Sequence, residues 1–243
     1  MSTNVGANVF ADASAILPID WLAESPAIVD QGSCGTCWAF ATSAGIEIQN
    51  QITNPSSSPL KFSEQLIVDC NPWRWGCSGG TTSVVVKNWM APSQVKVALA
   101  SVYPYVARRN KCNTTITRQQ YVPTAQIDYL YSSTNGTSAA YSAALQTGPV
   151  VVRVRADTSY WQGYKSGVLN NTACFGTGSW NHAVVIVGQG VDGASSLPYW
   201  LVRNSWGSSW GENGYIKLAI TESGYGVCGQ QYHGWSITMK DLP

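Results

Sequence analysis

The sequence contains little charge and few histidines. Of its 243 residues, 14 are Lys or Arg and 13 are Asp or Glu, so charged residues make up 11%, against about 25% in an average soluble domain. The net charge of +1 gives no reason to expect nucleic acid or an anionic membrane as the main partner. The two histidines, His182 and His233, exclude a metal site with three histidine ligands.

Long apolar runs are also missing. No stretch approaches the roughly 18 apolar residues that a membrane-spanning helix needs, so no transmembrane helix is expected. Residues 1–10 lack the basic start and the apolar centre of a signal peptide. We expect the chain to be a mature or trimmed product whose targeting segment lies outside it. Apolar residues make up 44% of the sequence, which excludes disorder for most of it.

The cysteines and glycosylation motifs indicate an oxidising compartment. Seven cysteines lie at positions 34, 37, 70, 77, 112, 174 and 228. This odd number predicts three disulfides and one free thiol. Asn-x-Ser/Thr motifs at Asn113, Asn135 and Asn170 are candidate glycosylation sites and also favour the secretory route.

The apolar pattern changes half-way along the chain. Three- and four-residue steps predict a helix from Thr36, as N-cap, to about Ile52, and Ser63 is the expected cap of a second helix. Residues 81–90 are a weaker helix candidate. Four short apolar runs bounded by turn residues then predict strands, at 149–154, 182–188, 199–203 and 214–218. Helices followed by strands predict an α+β fold.

Four polar residues have the chemistry of nucleophilic catalysis. Cys37 follows Thr36 at the start of the first helix, where the helix dipole is expected to lower the pKa of the thiol. His182 heads the most apolar strand and is the expected proton acceptor. Asn204 is the expected partner of the other imidazole nitrogen. The side-chain amide of Gln31 and the N–H of Cys37 are expected to bind a developing oxyanion.

These segments resemble the papain-like cysteine proteases, which include papain and the lysosomal cathepsins. The resemblance covers nearly the whole chain after residue 17 and rests on Gln31-Gly-Ser-Cys-Gly-Thr-Cys-Trp38, Ser63-Glu-Gln65, Cys77-Ser-Gly-Gly80, Asn181-His-Ala-Val184, Asn204-Ser-Trp-Gly207 and Trp210-Gly-Glu-Asn-Gly-Tyr215. It implies the catalytic roles just named for the four residues. It also implies that Trp206 is the indole that shields the His–Asn bond from water.

The resemblance implies a two-domain papain-like fold of the α+β class. Residues 1–17 are expected to form an N-terminal arm, and residues 18–125 a mainly helical left domain that carries the nucleophile. Residues 126–240 are expected to form a β-barrel right domain that carries the histidine and the asparagine, with the active-site cleft between the domains. The implied function is a cysteine endopeptidase that works through a thiolate–imidazolium pair and an acyl-enzyme.

The resemblance also pairs six of the cysteines, as Cys34–Cys77, Cys70–Cys112 and Cys174–Cys228, and leaves Cys37 over. The sequence departs from the family pattern at two places. Thr36 stands where the family signature has Ser or Ala, and little harm is expected because Thr also caps helices. A loop at 191–198 lengthens the interval between the histidine and the asparagine.

The same resemblance implies a substrate cleft. The backbone of Gly79 and Gly80 is expected to pair with an extended substrate, and the carbonyl of Asn181 to accept a further substrate N–H. The walls of the pocket for the second substrate residue are expected to be Arg153, Trp180 and His233. A partly cationic pocket of this kind predicts that Glu, Asp or small residues are preferred there over Lys and Arg.

Several other interpretations are open. Cys34 and Cys37 have the spacing of a redox pair, although five more cysteines would then lack a role. Zinc binding and an inactive binding module are further alternatives, and a peptide ligase would use the same acyl-enzyme. No cofactor or metal is implied. The expected protein is a secreted or lysosomal/vacuolar monomer, inhibited by a pro-region and protein inhibitors, and an endopeptidase because the two-histidine insertion of carboxypeptidase-type relatives is missing.

Overall fold

The structure is a computed structural model that describes residues 10–55, 58–93, 95, 97–116, 125–128, 137–175, 178–222 and 224–239. Five α-helices are described, α1 Cys37–Thr53, α2 Glu64–Cys70, α3 Thr82–Val85, α4 Ser138–Leu145 and α5 Ser159–Gln162. None of the helices in these ranges is long and apolar enough to cross a membrane. The first helix is the longest, and all but four of its residues are buried.

Eight strands are described, β1 Ile19–Asp20, β2 Ala125–Asp128, β3 Val150–Val154, β4 Val168–Leu169, β5 His182–Val191, β6 Pro198–Arg203, β7 Tyr215–Ala219 and β8 Gly234–Met239. They form one sheet in the order β2-β8-β3-β5-β6-β7-β4, with β1 paired to β5. The pairs are antiparallel except for β4 with β7. The four predicted strands are therefore confirmed as β3, β5, β6 and β7.

The central strand β5 is buried on both faces. Val185 and Val187 belong to the core shared with α1, whereas Val184 and Ile186 belong to a second core on the other face of the sheet. Because side chains alternate along a strand, a continuous apolar run supplies both cores at once. This is why the sequence around the strand reads as uninterrupted valine and isoleucine rather than as an alternating pattern.

Helix α1 lies unusually close to the sheet at Gly45. A Cβ atom built at this position would be 2.7 Å from Cδ1 of Ile237 and 3.1 Å from Cγ2 of Val151. Such distances are shorter than ordinary van der Waals contact, so the absent side chain permits the close approach. The same helix carries Cys37 as its first residue.

A buried charge cluster joins α1 to α2. Nζ of Lys61 lies 2.7 Å from Oε1 of Glu47 and also contacts Oε1 of Glu64. The N–H of Phe62 donates to the same Glu47 oxygen at 2.8 Å. Both carboxylates are nearly inaccessible to solvent, so Lys61 provides the charge that compensates them.

Two helix ends differ in how they are capped. Ser63 caps α2 as predicted, since its Oγ accepts a hydrogen bond from the N–H of Leu66 at 3.0 Å. Thr36 lies at the N-cap of α1 but makes no capping hydrogen bond with its side chain. The prediction of a threonine cap is therefore wrong in this respect, because the Thr36 hydroxyl contacts other partners.

The third predicted helix is confirmed only in its first turn. Residues 82–85 are α-helical, and Val86–Met90 then form a π-helical turn. Near the N-terminus, Phe10 bridges Thr221 and the N–H of Ala11 donates to Ile220 O at 3.0 Å, so this end of the expected arm is attached to the sheet half. The division of the chain into domains at residues 125 and 126 stays a prediction.

Three disulfides join the pairs that the resemblance implies, Cys34–Cys77, Cys70–Cys112 and Cys174–Cys228. The first of them connects the loop before α1 to the loop that carries Gly79. Cys37 is left as the free cysteine among the described residues.

Candidate active site

Cys37 is the half-buried first residue of α1. Burial raises the pKa of its thiol, while backbone hydrogen bonds from Ala183 and Trp38 and the charge of Arg153 act in the opposite direction. The N–H groups of Cys37 and Trp38 at the helix start lower the pKa, in the predicted direction, but the cost of burying a thiolate outweighs them and the net shift is upward. A thiolate here needs a cation beside it.

His182 is the first residue of β5 and is 7% exposed. Its Nε2 lies 2.8 Å from Oδ1 of Asn204. Burial lowers the pKa of the imidazole to about 4, although the hydrogen bond to Asn204 raises it in part. Because the N–H of Ser205 also donates to Oδ1 at 2.8 Å, this oxygen acts as an acceptor. Nε2 therefore carries the imidazole hydrogen, and Nδ1 is free to accept a proton.

Two tryptophan rings enclose the imidazole. The ring of Trp206 lies 5.0 Å from that of His182, centroid to centroid. Trp161, which is fully buried, lies edge-on at 6.2 Å. Both indoles pack against the buried imidazole, whose burial lowers its pKa. The shielding role that the resemblance implies for Trp206 agrees with this placement.

Ser205 connects the histidine side of the site to Gln31. Its hydroxyl donates to Oε1 of Gln31 at 2.7 Å, and its carbonyl accepts from the N–H of Gln31 at 2.9 Å. Nε2 of Gln31 donates to Cys34 O at 3.0 Å. Since an amide nitrogen carries two hydrogens, one of them stays available for a ligand at the sulfur of Cys37.

A hydrogen-bonded chain from α1 supports Gln31 from its other side. The hydroxyl of Tyr105 donates to Gln31 O at 2.9 Å. Its oxygen then accepts from the hydroxyl of Thr36, which contacts it directly. Thr36 is fully buried, so the hydroxyl that does not cap the helix is used to position the loop that carries Gln31.

These side chains meet at one cleft with a volume of about 530 Å³. The residues that line it include Gln31, Cys37, Trp38, Gly79, Gly80, Arg153, Trp180, Asn181, His182 and Trp206. Asn204 is buried behind the imidazole, and His233 is not among the lining residues. The ring of His233 instead packs edge-on against Trp180 at 4.8 Å, so its predicted place in the pocket wall is indirect.

The glycine pair forms one edge of the cleft. Gly79 has a φ of 107°, and a Cβ atom there would meet nothing within 4 Å. A Cβ atom on Gly80 would be 2.6 Å from the ring of Trp38. Backbone is therefore exposed along this edge without side chains that would block an extended ligand. The side chain of Asn181 is used within the protein, because its Oδ1 accepts from the N–H of Ala156 at 2.8 Å.

Two of the candidate glycosylation sites, Asn113 and Asn170, are not among the residues that line the cleft. Asn113 and Asn170 are exposed, and Oδ1 of Asn113 accepts from the N–H of Thr115 at 3.1 Å. Asn135 lies outside the described residues. Glycan attachment at these positions stays a prediction.

Sequence reasoning missed three residues of the site: Ser205, Tyr105 and Trp161. Ser205 lies inside the Asn204–Gly207 motif, so its position was available as a signal. Tyr105 and Trp161 are isolated aromatic residues in segments without a recognisable motif, and only the fold brings them to Gln31 and His182.

Comparison with known proteins identifies the family. The family profile "Papain family cysteine protease" matches residues 18–235. The chain belongs to the papain family of cysteine proteases. Digestive cysteine proteinase 1 of Homarus americanus is 34% identical over 206 residues, which are 83% of this chain and 61% of that protein. Chymopapain of Carica papaya is 36% identical over 217 residues, 87% of this chain and 57% of that protein.

The chain thus spans about six tenths of the length of these curated papain-family relatives. Among solved structures, the bromelain protease of Ananas comosus in complex with the E64 inhibitor has a TM-score of 0.78 and 31% identity, and the match covers 93% of this chain and 100% of that one. The ragweed pollen allergen Amb a 11, a cysteine protease solved in its proform, has a TM-score of 0.78 and 30% identity over 98% of this chain and 68% of that one. The papain-like α+β fold is therefore confirmed.

Proposed function

We propose that this protein is a cysteine endopeptidase and that Cys37 is its nucleophile. The observation that carries the proposal is the meeting of Cys37 and His182 at one cleft, with the imidazole fixed by Asn204. Family membership and three disulfides support the same function.

The negative charge of the Cys37 thiolate and the positive charge of the His182 imidazolium form together. Burial opposes a thiolate at Cys37 and an imidazolium at His182 when each is charged alone. Transfer of the thiol proton to Nδ1 creates both charges together, and each then compensates the other within the same cleft. A neutral pair in the buried cleft thus becomes an ion pair without an uncompensated charge.

Peptide hydrolysis then follows in two halves. The thiolate of Cys37 attacks the scissile carbonyl carbon, and the oxyanion is bound by the N–H of Cys37 and the remaining amide hydrogen of Gln31. The imidazolium of His182 gives its proton to the leaving nitrogen as the C–N bond breaks, which leaves a thioester. Water attacks this thioester while His182 accepts a proton, and the carboxylic acid leaves as the thiol is restored.

The substrate lies along the glycine edge of the cleft. The open backbone at Gly79 and the absence of a side chain at Gly80 support strand-like pairing with an extended peptide. The proposal also includes an inhibitory pro-region and protein inhibitors as partners, and a monomeric protein in the secretory route, either secreted or lysosomal/vacuolar. Disulfides are typical of that route, and Amb a 11 was solved with its pro-region.

Active-site titration tests the proposed function. E64, the inhibitor bound in the bromelain structure, should inactivate the protein at one equivalent, and peptide mapping should find it on Cys37. The variants Cys37→Ala and His182→Ala should lose nearly all peptidase activity with the fold intact, while Asn204→Ala should be milder because it orients the imidazole. His233→Gln is the matched control, and a loss as large as that of His182→Ala would show that the base is assigned wrongly.

A further inference from the structure

Arginines line two adjoining grooves on the glycine side of the nucleophile. The catalytic cleft shares the segment 77–80 with a second groove of about 810 Å³. Arg153 lines the first groove, and Arg74 and Arg109 line the second. Thr81 in the second groove connects the two, because Nη2 of Arg153 lies 3.4 Å from its hydroxyl.

None of these three arginines forms an ion pair with a described residue. The salt bridges of the described ranges involve Lys61, Arg155 and Lys217 as the cations. Asp157 is the one carboxylate among the described residues that line either groove, and Nε of Arg155 already donates to it at 2.9 Å. The described residues therefore offer no free carboxylate to compensate the arginines along these grooves.

Two of the three arginines, Arg153 and Arg109, have neighbours that fix their positions. Arg153 lies within β3, and its N–H donates to His233 O at 3.2 Å. Arg109 packs on Gly76, where a Cβ atom would be 2.9 Å from Cβ of Arg109. Nε of Arg109 is buried and has no hydrogen-bond partner in the structure. A half-buried guanidinium that forms no ion pair with a described residue favours an anionic ligand, since two parallel N–H donors match a carboxylate.

We propose that this cleft selects acidic peptides, with Arg153 binding an Asp or Glu side chain near the scissile bond and Arg74 with Arg109 binding a second one further along. The proposal rests on the proposed peptidase function and names its substrate class. Lys and Arg at either position meet an unpaired guanidinium and are rejected by charge repulsion. Trp180, which lines the first groove beside Arg153, limits the space for bulky apolar side chains.

A positional panel of fluorogenic peptides tests this selection. Peptides with Glu at the position that contacts Arg153 should have a kcat/KM about tenfold or more above that of peptides with Gln or Lys there at low salt. This advantage should shrink as salt is added. Arg153→Gln should abolish the preference for Glu only at the substrate position near the scissile bond. The double variant Arg74→Gln/Arg109→Gln should abolish it only at the second acidic position further along the peptide. Arg108→Gln is the matched control, because Arg108 is exposed and lines neither groove.

Binding of the same peptides separates this proposal from the peptidase proposal. Peptides with a reduced scissile bond should bind more tightly with Glu than with Gln or Lys, as measured by fluorescence polarisation, whether or not the protein cleaves peptides. Three results would each overturn the proposed selection of acidic peptides. They are hydrolysis of neutral peptides with no preference for acidic ones, a preference for Glu that survives in Arg153→Gln, and equal binding of the Glu and Lys peptides. Failure of E64 to label Cys37 would overturn the peptidase assignment instead.

Discussion

The charge state of the His182 imidazole is expected to depend on the thiolate of Cys37, and the variant Cys37→Ala tests this dependence. In the variant the imidazole keeps its burial and its bond to Asn204 but loses the thiolate. Burial then holds the pKa of His182 at about 4, well below the ordinary value of 6.5. We expect a neutral imidazole at pH 7 in the variant and a protonated one in the native protein.

A thiolate already formed at Cys37 can offset the effect of burial on the imidazole alone. The shift from 6.5 to about 4 corresponds to about 3 kcal/mol against the imidazolium. Two opposite unit charges about 4 Å apart attract each other by about 4 kcal/mol at an effective dielectric constant of about 20. Burial opposes the thiolate itself and raises the pKa of Cys37, and the N–H groups of Ala183 and Trp38 and the charge of Arg153 offset part of that cost.

Proton and carbon NMR of the imidazole rings measures this directly. The chain has two histidines, so a His233→Gln variant assigns both sets of signals. In Cys37→Ala the His182 signals should move only as the pH falls towards 4, whereas in the native protein they should be those of an imidazolium at pH 7. Equal titration of His182 in the two proteins would refute the ion pair.

The same variant predicts a dependence of stability on pH. Because the folded pKa of His182 lies below the unfolded one, the unfolded chain takes up the proton first as the pH falls. The free energy of unfolding of Cys37→Ala should therefore lose about 3 kcal/mol from this group between pH 6.5 and pH 4. Cys37→Ala/His182→Gln is the control in urea denaturation, and the difference between the two variants isolates the histidine from other acidic groups.

Two other expected outcomes test the cysteines and the buried charge cluster. Thiol titration of the denatured, unreduced protein should find one free thiol per chain, at Cys37, and three or more would contradict the disulfides. Lys61→Met should lower the free energy of unfolding at pH 7 by about 3–5 kcal/mol, since Glu47 and Glu64 lose their compensating cation. Because burial already raises the pKa of Glu64, this loss should shrink towards pH 4 as the carboxylate takes up a proton. A loss below about 1 kcal/mol at pH 7 in urea denaturation would show that the cluster is not a unit.

The parts of the site that are local in sequence could be predicted from it. Cys37 begins a helix and His182 begins a strand. Three- and four-residue steps after Thr36 locate the first boundary, and the start of a continuous apolar run locates the second. The partner of the imidazole, Asn204, also lies in a short motif. These features depend on residues within a few positions of each other, which is where sequence patterns carry information.

The parts that depend on distant contacts could not be predicted. Tyr105 reaches Gln31 across 74 residues, and nothing in the spacing of single aromatic residues indicates such a contact. The pKa of Cys37 was expected to follow the helix terminus, but burial by the rest of the fold has the larger effect. Threonine is a residue type that often caps helices, yet the hydroxyl of Thr36 forms a hydrogen bond with Tyr105 instead of capping α1.

Helix α1 connects the close contact at Gly45 to the sulfur of Cys37, so a tilt of the helix at Gly45 would move the sulfur. Cys37 lies eight positions away on the same helix, about 12 Å along its axis. A tilt of only about 5° about that contact would displace the sulfur by about 1 Å, and a displacement of that size costs a catalytic group on the order of 100-fold in rate. A larger residue at 45 would thus slow turnover before it unfolded the protein. Activity is therefore expected to depend on a core position that no substrate touches.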